Sequence, residues 1–148
     1  MTKITTKIKG KDVVITLTDE QLEEIESQTE KRISIKNLTP LVAEKLLSEH
    51  GIKADPKGLY KGAMLELITI IRATNFIDNN YKDWEPDFNN SSIYKYYGWF
   101  EKKVSGWAVS AVNFQCCGSH CLAGLCYKEE KSCDFIIRKW LPLYSEIL

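Results

Sequence analysis

The sequence predicts a mixed α+β fold with an N-terminal β-hairpin, helices, a small antiparallel β-meander and a C-terminal helix. Three observations support this class. β-Branched runs flank a glycine turn near the N-terminus, apolar residues recur at helical spacing through the first half, and a stretch rich in Tyr, Trp, Phe and Val begins near residue 93. We expect one domain over residues 1–148, with a hairpin and helical part (1–80) and a β-meander with the C-terminal helix (81–148).

The first predicted elements are a β-hairpin and the start of a helix. Apolar β-formers lie on both sides of the turn at residues 10–12, which predicts a hairpin over residues 3–17. Thr18 and Gln21 then have the spacing of a capping box, in which each side chain bonds the backbone N–H of the other residue. A helix is therefore predicted to begin at Thr18.

Two further helices are predicted before residue 80. Thr39 and Pro40 form a cap and first-turn pair, and Gly51 is a stop signal. The buried face of this second helix is predicted to contain Leu41, Val42, Leu46 and Leu47. The third helix is predicted over residues 57–79, where apolar side chains spread around most of the circumference, as in a helix covered on several sides. Its one central charge, Arg72, is expected to be paired or extended towards solvent, with a polar site as the alternative.

The aromatic stretch predicts the sheet. Residues 93–104 and 107–114 have strand composition, and Ser105–Gly106 is the expected tight connection between them. A third run, residues 122–127, is expected to complete a meander of about three strands. Because side chains alternate along a strand, Tyr94 and Tyr96 are predicted to share one face, and Tyr97 and Trp99 the other.

The C-terminal segment, residues 132–148, carries the apolar stripe of an amphipathic helix. Ser132 is the expected N-cap. Pro142 lacks an N–H and clashes with the preceding turn, so we expect a kink there or a new helix with Pro142 in its first turn. The apolar end at Leu148 is expected to pack onto the body of the protein or onto another subunit.

Composition argues against several function classes. The chain has 20 Lys+Arg and 20 Asp+Glu, so no overall field attracts it to nucleic acid or to an acidic membrane. No apolar segment approaches the roughly 18 to 20 residues of a transmembrane helix, and the N-terminus has no hydrophobic core of a secretory signal. The five cysteines are odd in number and clustered late in the chain. We therefore expect a cytoplasmic protein in a reducing compartment, without a membrane partner.

No group of residues forms a complete catalytic or cofactor constellation. His120 and Cys121 are adjacent, and neighbours on a strand point to opposite faces, so they do not form the usual base and nucleophile pair. Neither a Walker nor a dinucleotide glycine signature is present. We expect a protein that is not an enzyme and has no cofactor, with zinc as the one open alternative.

The zinc alternative comes from the late cysteines, whose sulfur atoms, with one imidazole, suit zinc. The ligands of such a site would come from Cys117, His120, Cys121, Cys126 and Cys133. The adjacent Cys116 and Cys117 lack the Cys-x-x-Cys spacing of a zinc knuckle. The favoured interpretation is therefore a cysteine-bearing turn with small, half-buried side chains.

The aromatic stretch also predicts a binding surface. Its candidate residues are Trp84, Tyr94, Lys95, Tyr96, Tyr97, Trp99, Lys102 and Lys103. Aromatic rings beside lysines can stack on bases, which makes nucleic-acid or nucleotide binding one alternative. Packing of the same rings against the helices is the structural alternative.

One stretch carries a family resemblance. Residues 83–90 read Asp-Trp-Glu-Pro-Asp-Phe-Asn-Asn, and residues 94–100 read Tyr-Lys-Tyr-Tyr-Gly-Trp-Phe. This combination resembles a recurrent segment of small, uncharacterised proteins of gut Bacteroides-type bacteria and their phages or prophages. In those proteins a glycine-bearing strand, a Cys-aromatic-Lys strand end and a C-terminal helix follow. Gly106, residues 126–128 and the segment after Glu129 occupy these places here.

The chain departs from that pattern at two places. Gly98 stands where the pattern has proline, and the cysteine-rich loop at residues 116–121 is not part of it. The resemblance implies a protein of phage or prophage type that acts on a host or phage macromolecule. We therefore expect a small binding or accessory protein that works through protein–protein interaction, and a homo-oligomer stays open.

Overall fold

The computed structural model describes residues 1–8, 11–21, 33–115 and 125–148. The predicted α+β class is confirmed, with strands at the N-terminus, helices, a two-stranded antiparallel sheet and helices at the C-terminus. The chain forms two compact units, residues 1–33 and 34–148. This division differs from the predicted parts 1–80 and 81–148, because the central helices pack with the C-terminal ones. The single domain over residues 1–148 stays a prediction.

The first unit contains the predicted hairpin. Strands β1 (Thr2–Ile8) and β2 (Lys11–Leu17) pair antiparallel, from Thr2 opposite Leu17 to Ile8 opposite Lys11. The capping box follows as predicted. The Thr18 N–H donates to Gln21 Oε1 at 3.0 Å, and the Gln21 N–H donates to Thr18 Oγ1 at 3.2 Å. Residues 22–32 of the predicted helix lie outside the described residues.

The second unit begins with a short 3-10 helix, Ile35–Asn37, and helix α1, Pro40–Glu49. The predicted start of α1 is confirmed, because the Thr39 hydroxyl accepts the Val42 N–H at 3.2 Å. Its buried residues are Ala43, Leu46 and Leu47. The prediction that Leu41 is buried is wrong, since its side chain is 75% exposed. At 100° per residue, Leu41 lies about 200° around the helix from Ala43, on the solvent side.

Helix α2, Gly62–Asp78, is the central helix of the second unit, as predicted. Its buried side chains include Leu67, Ile68, Ile70, Ile71, Thr74 and Phe76. The predicted start at residue 57 is wrong, because residues 55–60 form a turn. The Asp55 carboxylate accepts the Tyr60 N–H at 2.8 Å, and Gly58 has a φ of +64°. A side chain that bonds the backbone locally competes with helix formation, so α2 begins later.

The sheet of the second unit is a hairpin of β3 (Lys95–Lys103) and β4 (Gly106–Gln115). Lys95 is opposite Gln115 and Lys103 is opposite Gly106, with a register shift between Trp99 and Phe100. The turn residues are Val104 and Ser105, one position earlier than predicted. The predicted third strand is represented among the described residues by one bridge, in which Tyr96 and Tyr127 exchange backbone bonds of 2.9 and 2.7 Å. Residues 122–124 lie outside the described residues.

Two helices end the chain, α3 (Glu130–Lys139) and α4 (Leu141–Ile147). Pro142 lies in the first turn of α4, so the predicted new helix is confirmed. The prediction that Ser132 caps the helix is wrong. The N-cap is Glu129, and Ser132 is buried in the first turn. Asn75 Oδ1 accepts the Lys128 N–H at 2.9 Å, so the chain is fixed up to residue 128 and the helix begins directly afterwards.

The layers of the second unit follow from these elements. α2 packs on α1 at one side and on α3 and α4 at the other, and α3 and α4 in turn contact the β3–β4 hairpin. Among the described elements of the second unit, the hairpin therefore lies on the C-terminal helices, which separate it from α1. Within the described ranges, no helix is both long enough and apolar enough to span a membrane.

Candidate functional site

The β3–β4 hairpin has one face on the C-terminal helices and one directed away from them. On the packed face, a Cβ at Gly98 would lie 3.1 Å from Ile137 Cγ2, and the Phe100 ring centroid lies 4.7 Å from that of Tyr144. Side chains alternate, so Tyr97 and Trp99 lie on the opposite face, as predicted. We call the face of β3 and β4 that carries Tyr97, Trp99, Ala111 and Asn113 the outer face.

Trp99 is the most prominent residue of the outer face. Its side chain is 53% exposed, and its partner on β4 is the small Ala111. Tyr97 is half-buried, and its partner Asn113 is exposed. Among residues 34–115 and 125–148, no helix or strand covers Trp99 enough to bury it. The outer face therefore presents an exposed indole ring opposite a small residue, Ala111.

A second exposed aromatic feature lies at the open end of the hairpin. The rings of Tyr94 and Phe114 are 4.6 Å apart between centroids and inclined by 35°. Tyr94 is 50% exposed and Phe114 is 57% exposed. We call these two residues the aromatic pair. An offset arrangement of two rings is favourable by itself and leaves a combined apolar surface open to a partner.

The three predicted lysines do not form a basic patch beside these rings. The prediction that Lys95 lies on the binding surface is wrong, because the residue is 0% exposed. Its Nζ donates to the Asn90 carbonyl at 2.7 Å. The Lys102 Nζ lies 5.0 Å from the Trp107 ring centroid, and the Lys103 Nζ lies 3.0 Å from a Glu101 carboxylate oxygen. Each cation thus has an intramolecular contact.

Trp84 lies apart from the outer face, in a groove along α2. The groove has a volume of about 390 Å³ between the loop at residues 54–60, α2 and residues 84–88. Its apolar lining includes Leu59, Tyr60, Ile68, Ile71, Trp84, Pro86 and Phe88. The structure therefore separates Trp84 from the strand residues with which the sequence grouped it.

Arg72 holds one wall of this groove. Its Nε and Nη2 donate to the two Asp83 carboxylate oxygens at 2.9 and 2.6 Å, and its Nη1 donates to Glu85 Oε1 at 2.8 Å. The expectation that Arg72 is paired is confirmed. Burial disfavours the charged guanidinium, but the hydrogen bonds and charges of Asp83 and Glu85 outweigh it and raise the Arg72 pKa. Arg72 therefore stays charged and fixes residues 83–85 against α2.

Asp78, at the end of α2, is an ionisable residue that the sequence did not single out. Burial raises the pKa of its carboxyl, the Glu129 charge adds to the effect, and a Ser132 hydrogen bond and the Lys128 charge oppose it. Its Oδ2 is buried and has no hydrogen-bond partner among the described residues. No local sequence signal marks this position, because its neighbours come from residues 128–132.

Phe114 was also not among the predicted site residues. The strand register would have identified it, since Phe114 is opposite Tyr96 and is therefore diagonal to Tyr94 on the same face of the hairpin. The predicted end of the strand at residue 114 was correct to one residue, but the pairing was not assigned. The relevant signal is thus the cross-strand pairing rather than the composition.

The predicted zinc ligands are only partly described. Cys126 and Cys133 are both buried, whereas Cys117, His120 and Cys121 lie outside the described residues. Within the described part of the chain, no three His, Cys, Asp or Glu side chains are placed to hold a metal ion. The zinc site stays a prediction.

Comparison with known proteins identifies no relative: no family model matches the chain, and no curated protein or solved structure is significantly similar to it. The exposed aromatic residues of the β3–β4 hairpin and the contacts of its lysines are the two observations that distinguish the candidate functions.

Proposed function

We propose that the chain is a small, non-enzymatic binding protein that acts by contact with another protein through the β3–β4 hairpin. The observation that carries this proposal is the exposure of Trp99 on the outer face. Tyr, Trp and Phe are enriched in protein–protein interfaces, where a few such side chains contribute most of the affinity. A strand also holds these rings with little conformational freedom to lose on binding.

The lysines favour a protein partner over a nucleic acid. Binding to single strands combines stacked rings with cations that neutralise phosphates. Here Lys95 is buried, Lys102 lies over Trp107, and Lys103 is paired with Glu101. The overall charge is also balanced, at 20 Lys+Arg and 20 Asp+Glu. Among the described residues, these three lysines each contact another group of the chain, which favours a protein partner over a nucleic acid.

The biological setting of the proposal rests on the sequence. The resemblance of residues 83–100 supports a protein of phage or prophage type, with a host or phage protein as its partner. The odd number of cysteines, five, supports a reducing cytoplasmic compartment, because extracellular disulfide frameworks use cysteines in pairs.

The test uses Trp99→Ala and, as a matched control, Leu41→Ala. Leu41 is an exposed apolar residue on α1, away from the hairpin. Each variant and the wild type are immobilised and incubated with a lysate of the bacterial host, and a retained protein is then purified and titrated calorimetrically. We expect Trp99→Ala to weaken its binding at least about tenfold, about 1.4 kcal/mol, and Leu41→Ala to leave it unchanged.

Two results would overturn the proposal. One is equal binding by Trp99→Ala and the wild type, which would place the contact elsewhere. The other is retention of single-stranded oligonucleotides that falls steeply with salt, which is the behaviour of a nucleic-acid binder. Circular dichroism and thermal unfolding of the two variants show whether both are folded like the wild type.

A further inference from the structure

The two strands of the hairpin differ in what lies beside them. β3 is flanked on both sides, because Tyr96 pairs with Phe114 of β4 and also with Tyr127. β4 is flanked only by β3: among the described residues, backbone hydrogen bonds to residues 106–114 come from β3 alone. Within the described part of the chain, the outer edge of β4 thus presents a row of backbone N–H and C=O groups, which can pair with another strand.

The sequence of β4 lacks the usual protection of such an edge. Proteins commonly place lysine, other charges or proline on edge strands to prevent pairing between molecules. β4 reads Gly-Trp-Ala-Val-Ser-Ala-Val-Asn-Phe-Gln and contains neither a charged residue nor proline. The charges of the hairpin, Lys95, Glu101, Lys102 and Lys103, are all on β3. Two copies of β4 can therefore approach each other without like-charge repulsion.

The register shift makes this edge complementary to itself. Trp99 is opposite Ala111 and Phe100 is opposite Val109, so Ser110 has no partner in β3. As a result Val109, opposite Phe100, and Trp107, opposite Lys102, lie on the packed face. Val112 and Phe114 lie on the same face. In an antiparallel pair with its two-fold axis between residues 110 and 111, Trp107 would face Phe114, and Val109 would face Val112. Both pairs would then join residues of the same face.

We propose that β4 pairs antiparallel with β4 of a second copy of the chain about this axis. The product is a symmetric dimer with a continuous four-stranded sheet in the order β3, β4, β4, β3. Aromatic and β-branched pairs opposite each other stabilise such a pairing. The dimer carries two outer faces side by side, which gives a partner with two sites the advantage of bivalent binding. The pairing itself does not depend on what the outer face binds.

The test is the mass of the full chain in solution, by light scattering after size exclusion, from about 1 μM to about 1 mM, the range of weak and moderate association. We expect a concentration-dependent rise towards twice the 17.0 kDa monomer mass for the wild type. Ser110→Lys places two like charges next to the axis and should keep the chain monomeric. Ser105→Lys, at another exposed serine, in the hairpin turn, is the matched control and should dimerise as the wild type does.

Variants with opposite charges at residue 110 test whether this position lies at the dimer interface. Ser110→Glu alone should also be monomeric, whereas an equimolar mixture of Ser110→Lys and Ser110→Glu should recover the dimer. A wild type that stays monomeric throughout the range would overturn the proposal. So would a dimer that survives in Ser110→Lys but is lost in Trp99→Ala, because the contact would then lie on the outer face and not on the edge of β4.

Discussion

The Phe100 ring occupies the space that a side chain at Gly98 would need. A Cβ at residue 98 would lie 2.8 Å from Phe100 Cζ and 2.9 Å from Cε2. The ring cannot move away freely, because it also contacts Tyr144, with 4.7 Å between the ring centroids. An aromatic ring over a strand glycine compensates for the missing side chain. This contact explains why glycine suits position 98.

Gly98→Ala should therefore destabilise the protein. The added methyl group has to displace Phe100 or Ile137, and overpacking of this kind costs about 1 to 3 kcal/mol. Urea unfolding followed by circular dichroism measures the difference. Asn113→Ala, on the exposed face of the adjacent strand, is the control and should change stability by no more than about 0.5 kcal/mol. Equal stability of Gly98→Ala and the wild type would mean that Phe100 moves at no cost.

Asn75 connects the centre of α2 to the segment before α3. Its Nδ2 donates to the Cys126 carbonyl at 2.9 Å, its Oδ1 accepts the Lys128 N–H at 2.9 Å, and the residue is buried. Asn75→Ala should cost about 2 to 4 kcal/mol, because the buried Cys126 carbonyl and the partly buried Lys128 N–H both lose their partner. Chemical unfolding measures the loss.

Hydrogen exchange locates the effect of Asn75→Ala in the fold. The Tyr96 and Tyr127 amides, which form the bridge next to this contact, should exchange faster than in the wild type. Faster exchange spread evenly over α1 and α2, with none specific to the bridge, would contradict this role of Asn75.

Features determined by neighbouring residues were predictable from the sequence. The caps at Thr18 and Thr39 and the break before Pro142 each depend on residues within a few positions, and all three are present. The β1–β2 hairpin was predictable for the same reason, since a glycine turn between two runs of strand-forming residues is a local pattern. Of the candidate site, Tyr97 and Trp99 were assigned to the correct common face.

Features that depend on distant segments were not predictable in the same way. Lys95 looks like a surface lysine, but it is covered because it bonds the Asn90 carbonyl and lies 5.8 Å from the centre of the Phe88 ring. Serine is a residue type that favours the N-cap position, yet α3 starts before Ser132. Asn75, 53 positions before Lys128 in the chain, bonds the Lys128 N–H and fixes the backbone there. Propensity does not contain these tertiary contacts, so composition alone misplaces both residues.

The Asp78 carboxyl should make stability depend on pH. Burial raises its pKa in the folded state, so the folded protein binds the proton more tightly than the unfolded chain does. The ionised carboxylate is therefore destabilising above the folded pKa, and the effect disappears as pH falls below the unfolded value of about 3.9. Asp78→Asn should be more stable than the wild type at pH 7, by about 1 kcal/mol or less because the side chain is half-buried.

Unfolding of Asp78→Asn and the wild type at several pH values between about 4 and 7 measures this dependence. The advantage of the variant should shrink as the pH falls. Asp134→Asn, at a surface position of α3 paired with Arg138, is the matched control and should show no advantage at pH 7. If Asp78→Asn is instead the less stable protein at pH 7, the Ser132 hydrogen bond and the Lys128 charge outweigh burial.

Arg72 should be replaceable by lysine only with a loss of order in residues 83–85. The guanidinium makes three hydrogen bonds to Asp83 and Glu85 at once, whereas an ammonium group is a point charge that cannot reproduce the planar fork. Because both acids are substantially exposed, the expected cost of Arg72→Lys is modest, about 1 kcal/mol. Faster amide exchange at residues 83–85, with unchanged exchange in α1, is the specific readout. Arg138→Lys, which alters an exposed pair with Asp134, is the control, and equal exchange at residues 83–85 in both variants would show that Arg72 does not hold this wall of the groove.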